Sequence, residues 1–148
     1  MFREPTVGES AVNIEFVASV AVIAADPPAS RRLYVDALGL PLQSHGGGEY
    51  AWTDKLEGAK HFAVWPLSQA AEACFATSEW PADRPVPQVS IEFELADVAS
   101  VRAASDELEA AGHALLHPAR EEPWGQTVAR LLSSEGSIVG ICFTPAMH

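Results

Sequence analysis

The sequence predicts an α+β fold in which two βαβββ modules in tandem form one open, partly barrel-like sheet around a ligand trough. Three observations carry that expectation. A Val/Ile-rich strand followed by a capped amphipathic helix occurs twice, as VAVIAADPPASRRLYVDALGL and as SIEFELADVASVRAASDELEAAG. A glycine turn leading into a short apolar strand also occurs twice, as EGAKHFAVWPL over residues 57–67 and as EGSIVGICFTP over residues 135–145. Between the copies lies SEWPADRPVPQ, whose Pro81, Pro85 and Pro87 favour an extended connector. A repeat of roughly seventy residues is too long for a solenoid unit, whereas two copies that each leave a sheet face bare can cover it by pairing.

Residues 1–13 mix charge, proline and glycine without periodicity and read as a flexible N-terminal tail. Residues 14–148 read as a single domain, with modules over about 14–67 and 87–146 and a connector over about 68–86. The first strand starts near Glu15 and stops at Asp26. Asp26 is an N-cap followed by Pro27 and Pro28, Leu33, Tyr34, Ala37 and Leu38 share one helical face, and Gly39 stops the helix. A glycine-rich turn then leads to a strand near residues 50–53, and a second turn to a strand ending at Pro66. This unit is β, α and two or three strands. SQAAEACFA suits a short helix at the start of the connector.

In the second copy Val89, Ile91, Phe93 and Leu95 alternate with polar residues, the period-two pattern of a half-buried strand. Asp97 caps a helix with Val101, Ala104, Leu108 and Ala111 on one face, stopped by Gly112. Strands over about 114–116 and 126–132 and the closing SIVGICF complete the module.

With 148 residues and 48% apolar content, the chain can fill one core. No run approaches the roughly eighteen apolar residues of a membrane span, and no basic-then-apolar leader is readable, so a cytoplasmic protein without a membrane partner is expected. Cys74 and Cys142 are too few for a disulfide framework and are expected to stay reduced. A net charge of -11 repels phosphate backbones, which argues against nucleic acid as a partner. The acidity either only keeps the chain soluble or, if carboxylates converge in a cavity, selects a cationic ligand.

If Ile91, Phe93 and Leu95 face the helices, Ser90, Glu92 and Glu94 face the trough, because strand side chains alternate. Two carboxylates on one lining strand repel, so at least one is expected to hold its proton more tightly than usual unless a cation compensates. The alternative is a solvated polar face. Tyr50, Trp52, Trp65 and Trp124 sit on or beside strands that line or rim the trough, where their rings either pack the core or stack on a conjugated ligand. Gln126 follows Trp124 as a hydrogen-bonding group. His45, His113 and His117 read as scattered surface residues, and His61 as either a cavity group or a hydrogen-bonded sheet histidine. Neither cysteine has a readable base partner, and Gly46 to Gly48 form only a turn.

The segments VAVIAADPPASRRLYVDALGLPL and PWGQTVARLLSSEGSIVGICF, in that order and with the duplication, resemble the vicinal oxygen chelate superfamily, which includes glyoxalase I, extradiol dioxygenases and bleomycin-resistance proteins. The resemblance runs from about Phe16 onward. It implies the paired-module fold, frequent homodimers, and in the enzymes a divalent metal held by His or Gln on the first strand and Glu on the last strand of each module. At those places this sequence has Ser19, Ser90 and Gly140, with Phe62 in the first closing strand, or Val64 if that strand slips by two. Such side chains cannot rebuild an imidazole and carboxylate shell.

The resemblance therefore implies a metal-free branch with no cofactor and no catalytic residue. It points to a bleomycin-resistance-like protein that sequesters an aromatic or cationic small molecule, as in antibiotic resistance. Gly140 would leave space for a flat ligand, and Glu92 or Glu94 would fix a positive group. The alternatives are a lyase, isomerase or dioxygenase-type enzyme with Glu92 as base and His61 as partner, and a structural or regulatory dimer.

Overall fold

In the computed structural model, which describes residues 12–148, the first strand, β1 (Phe16–Ala24), runs into the cap that the sequence predicts: Asp26 Oδ1 accepts the Ala29 N–H at 3.3 Å. Helix α1 (Pro27–Arg31) then widens into a π-helical stretch over Arg32–Ala37, closed by the Leu38 N–H on the Leu33 carbonyl. The wider turn breaks up the expected apolar face. Tyr34 packs against Ala24, Ala51 and Val64, but Leu33 and Leu38 are exposed.

Strands β2 (Ala51–Thr53) and β3 (Phe62–Pro66) complete the first module. Its third strand is reduced to one bridge, in which Gln43 and Trp52 exchange hydrogen bonds of 2.8 and 2.9 Å. Gly46 and Gly47 adopt positive φ a few residues later and turn the chain away from the sheet, so the first copy is βαββ. Helix α2 (Leu67–Phe75) takes up the start of the connector.

The second copy is complete: β4 (Val89–Glu94), α3 (Val98–Ala110), β5 (Leu115–Glu121), β6 (Thr127–Leu132) and β7 (Ile138–Phe143), followed by a 3-10 turn at Pro145–Met147. Asp97 Oδ1 caps α3 through the Ser100 N–H at 2.7 Å. Strand β5 is longer than its pattern predicts because register irregularities on both sides of His117 let Pro118 sit in an edge strand.

All seven strands form one mixed open sheet in the order β2-β3-β1-β4-β7-β6-β5. β1 and β4 meet antiparallel at its centre, β3 runs parallel to β1, and β7 runs parallel to β4, so the copies are related by a pseudo-two-fold axis through the β1–β4 seam. One face carries α1 and α3. There Leu95, Val101, Ala104 and Ile141 form a fully packed cluster extended by Phe93 and Leu108.

Helix α2 lies on the trough side of the sheet. Its Ala70 and Cys74 pack with Ile138, Ile23, Trp65 and Leu132, on the opposite face from α1 and α3, and close one end of the trough. Met147 and Phe16, packed with Ala18, Val128 and Cys142, close the other end.

Of the tail expected over residues 1–13, residues 1–11 lie outside the described residues, and Val12 departs from the expectation by packing on the Leu95 cluster. Among the described residues no helix is long and apolar enough to cross a membrane. Cys74 and Cys142 are both free and buried.

Candidate functional site

The trough encloses a cavity of about 410 Å³ that straddles the β1–β4 seam. Its floor is made by Ser19 and Ala21 of β1 with Ser90 and Glu92 of β4. One wall carries Tyr50, Trp52, His61 and Trp65, and the other carries Trp124, Gln126 and Arg130. Gln69 of α2 stands at one end, and Thr144 and Met147 at the other.

The first wall is a stack of rings. His61 and Trp52 lie 5.3 Å apart and 11° from parallel, Tyr50 lies 6.3 Å from His61 at 23°, and His45 lies 5.9 Å from Trp52. Burial pushes the Tyr50 hydroxyl upward in pKa, with Glu92 adding to the effect, and burial lowers His61 against an opposing pull from Asp54. The two groups are joined by a 2.8 Å hydrogen bond between the Tyr50 hydroxyl and His61 Nε2, whose donor is set by the imidazole tautomer.

The opposite wall is a hydrogen-bonded chain. The Trp124 indole N–H donates to Gln126 Oε1 at 2.9 Å, and Gln126 Nε2 donates to Glu92 Oε1 at 3.0 Å and to Thr144 Oγ1 at 3.3 Å. Burial is the largest influence on Glu92 and raises its pKa; Arg130 and the Gln126 bond pull the other way, and Glu94 and Glu122 add smaller increases. The expected repulsion between lining carboxylates is therefore secondary to desolvation.

Behind this wall Arg130, 1% exposed, donates through Nη1 to Glu122 Oε1 at 3.2 Å and to His117 Nε2 at 3.1 Å. Arg120 Nε also reaches Glu122, at 2.7 Å. His117, lowered in pKa chiefly by burial, has Nδ1 2.8 Å from the Pro118 carbonyl, which leaves Nε2 to accept from Arg130. The Arg130 guanidinium lies 5.8 Å from the centre of the Trp65 ring.

Of the residues singled out by sequence, Ser19, Tyr50, Trp52, Trp65, Ser90, Glu92, Trp124 and Gln126 line this cavity, and three do not. Phe62 faces the helices, its ring 5.8 Å from Tyr34. The register explains the correction: β1 Ala21 pairs with Ala63 as β4 Glu92 pairs with Gly140, so Ala63 is the counterpart of Gly140, and a one-residue slip moves a side chain to the other face. Glu94 is fully buried beyond the cavity, where it accepts from the Thr144 N–H, lies 2.8 Å from His148 Nε2 and takes the Cys142 thiol at 3.3 Å. Gly140 leaves its space to Glu92 rather than to the cavity, since a Cβ there would stand 3.0 Å from Glu92 Cγ.

The histidine expectation also needs correction. His117 is buried, whereas His45 and His113 are exposed as expected, His45 also lining the cavity. Arg130, His117 and Glu122 form a buried network that the sequence reading missed; the one available signal was a lone arginine in the strand TVARLL. Gln69, Thr144 and Met147 join the site through tertiary placement.

The register brings Ser19, Ala63, Ser90 and Gly140 to the places where the resemblance puts metal ligands. None offers an imidazole or carboxylate, and among the described residues no three His, Cys, Asp or Glu side chains are grouped to hold an ion. These donors do not fit a divalent metal at that place.

Comparison with known proteins agrees with this fold. The model of the glyoxalase/bleomycin resistance protein/dioxygenase superfamily matches residues 16–146. The chain is similar to a superfamily member of that description from Vibrio splendidus 12B01, at 16% identity and a TM-score of 0.54, over 87% of this chain and 98% of that one. It is also similar to a variant methylmalonyl-CoA epimerase from Streptomyces coelicolor in complex with 2-nitronate-propionyl-CoA, at 16% identity and a TM-score of 0.59, over 90% and 99% of the two chains. No curated protein matches the chain in sequence. The match over nearly all the described residues, with the duplicated modules and central trough, assigns the family: the chain belongs to the glyoxalase/bleomycin resistance protein/dioxygenase superfamily.

Proposed function

We propose that the chain is a metal-free small-molecule-binding protein that takes a flat aromatic compound into the trough, a sequestering role like that of the bleomycin-resistance branch. The observation that carries this reading is the ring stack of Tyr50, His61 and Trp52 on one wall of a cavity of about 410 Å³. That volume suits one drug-sized molecule, and stacked rings offer a planar apolar face. A cationic ligand has less support, because Glu94 is engaged by Thr144, His148 and Cys142 while burial favours the neutral form of Glu92. Trp52, Trp65 and Trp124 all line the cavity, so a bound aromatic should quench tryptophan fluorescence saturably. A flat response across a panel of planar aromatics, both neutral and charged, would sink the proposal.

A second reading is favoured by the raised pKa of Glu92 on the cavity floor: an enzyme in which Glu92 transfers a proton. His61 is not its hydrogen-bond partner, since its Nε2 is taken by Tyr50. Turnover of a small carbonyl compound that disappears in Glu92→Gln, with the fold intact, would favour this reading.

We also propose a homodimer, because β5 ends the sheet with an edge that no other strand of the described residues covers, whereas Gln43 already covers Trp52 on the β2 edge. Light scattering at micromolar concentration tests it, and a monomer mass would refute it.

A further inference from the structure

The centre of the cavity floor holds polar groups that the aromatic walls do not explain. Ser19 and Glu92 are direct partners across the β1–β4 seam, and Ser90 lies two residues before Glu92 on the same face, opposite Ala21. Ser19 is 8% exposed and Ser90 3% exposed. Neither hydroxyl has a hydrogen-bond partner among the described residues, and neither is sealed from the cavity, because the sealed and unpartnered side-chain atoms there are Arg31 Nε and Arg130 Nε. Glu92 uses Oε1 for Gln126, while Oε2 lies over Gly140 without a protein partner.

Two buried hydroxyls and a carboxyl oxygen that all open into one cavity form an unsatisfied set in a protein interior, where buried polar groups are nearly always paired. The neighbours that would complicate recognition are already engaged. Arg130 is held by Glu122 and His117, and Glu94 is closed off by the 3-10 turn. The small residue Ala21, which lines the cavity beside this set, leaves room for a ligand's edge.

We propose that Ser19, Ser90 and Glu92 form a hydrogen-bonding seat for a ring-borne hydroxyl, so that the ligand is a neutral phenol-type aromatic whose ring lies against the Trp52–His61 wall. The proposal rests on the reading of the trough as an aromatic-ligand site. A hydroxyl matches the seat because it donates to one oxygen and accepts from another. A quaternary ammonium and a carboxylate each lack the O–H that can both donate to one seat oxygen and accept from another.

The test is calorimetric titration of the unmodified full chain with naphthol, naphthalene, naphthoate and naphthyltrimethylammonium. Naphthol is expected to bind at least ~10-fold more tightly than naphthalene, the effect of about two hydrogen bonds. Ser19→Ala and Ser90→Ala are each expected to narrow the naphthol-to-naphthalene ratio roughly 5-fold. Equal affinity for naphthol and naphthalene would overturn the seat and leave the aromatic trough standing. Tightest binding of naphthoate or of the ammonium would show that the seat reads charge, which also overturns it. If no naphthyl compound binds, the aromatic reading of the trough fails and the seat falls with it. Because the ligand comparison needs no substitution, it decides the matter even if a serine variant folds poorly.

Discussion

Replacing Gln126 by Leu removes three hydrogen bonds with little change in side-chain volume, and the structure ranks them. The Trp124 indole is 61% exposed, so its N–H turns to water at almost no cost. The Thr144 contact, at 3.3 Å, is long and contributes little. The Glu92 contact, at 3.0 Å on the cavity floor, dominates, because the carboxyl is left without its donor in a poorly solvated place. Losing it should cost about 1.5–2 kcal/mol, within the range for a buried group deprived of its partner. For a domain of this size that lowers Tm by roughly 4–8 °C. The effect is isolated by a cycle of Gln126→Leu, Glu92→Leu and the double variant, each unfolded in urea and followed by circular dichroism. An interaction energy of about 1–2 kcal/mol is expected, since removing both partners of this partly buried bond is cheaper than removing one. Additivity within about 0.3 kcal/mol would refute the reasoning, because it would mean that Gln126 and Glu92 do not support each other.

Three further outcomes follow from the same physics. Burial raises the Glu92 pKa, so the folded chain keeps a proton that the unfolded chain releases, and wild-type stability falls as pH rises from the unfolded carboxyl value of about 4.3 towards the folded one. Glu92→Gln lacks that slope, and its urea midpoint should match the wild type near pH ~4 and exceed it towards neutrality; an advantage that shrinks as pH rises would contradict the assignment. Arg130→Met leaves buried Glu122 with Arg120 alone and should cost about 2–4 kcal/mol in chemical denaturation. Leu95→Ala, at a fully buried position between α3 and the sheet, should cost about 3 kcal/mol in the same assay.

Much of the fold was legible because it is written in local signals. Asp26 and Asp97 cap their helices as expected, and the alternation in VSIEFELAD assigns Ser90 and Glu92 to the cavity face and Phe93 to the helices. What local signals cannot supply is register and packing. Phe62 was placed on the wrong face because the first copy has one more residue between its glycine turn and the strand pair than the second. The α2 helix was readable as a helix, but its seat inside the trough depends on Ile23, Trp65, Ile138 and Leu132, which come from four different strands, three of them remote in sequence. Glu94 alternates correctly with Glu92 along β4, yet the segment after β7 folds over it and takes it out of the cavity. Arg130 was passed over because its partners are His117, inside the bulged strand β5, and Glu122, just after it, and the pattern understates the length of that strand.

The β1–β4 seam has a kinetic meaning. It joins strands about seventy residues apart in sequence, so its closure brings a larger loop-entropy cost than any contact within a module. Because the cavity straddles that seam, a chain with only one module formed has half a floor and one wall, and nothing for a ligand to hold. Ligand binding is therefore linked to the fully assembled chain alone, and at a hundred times Kd it would add about 2.7 kcal/mol to the stability of that state. A compound that fits the trough should accordingly slow unfolding while leaving the early steps of refolding unchanged, and so act as a reporter of the moment at which the two halves join.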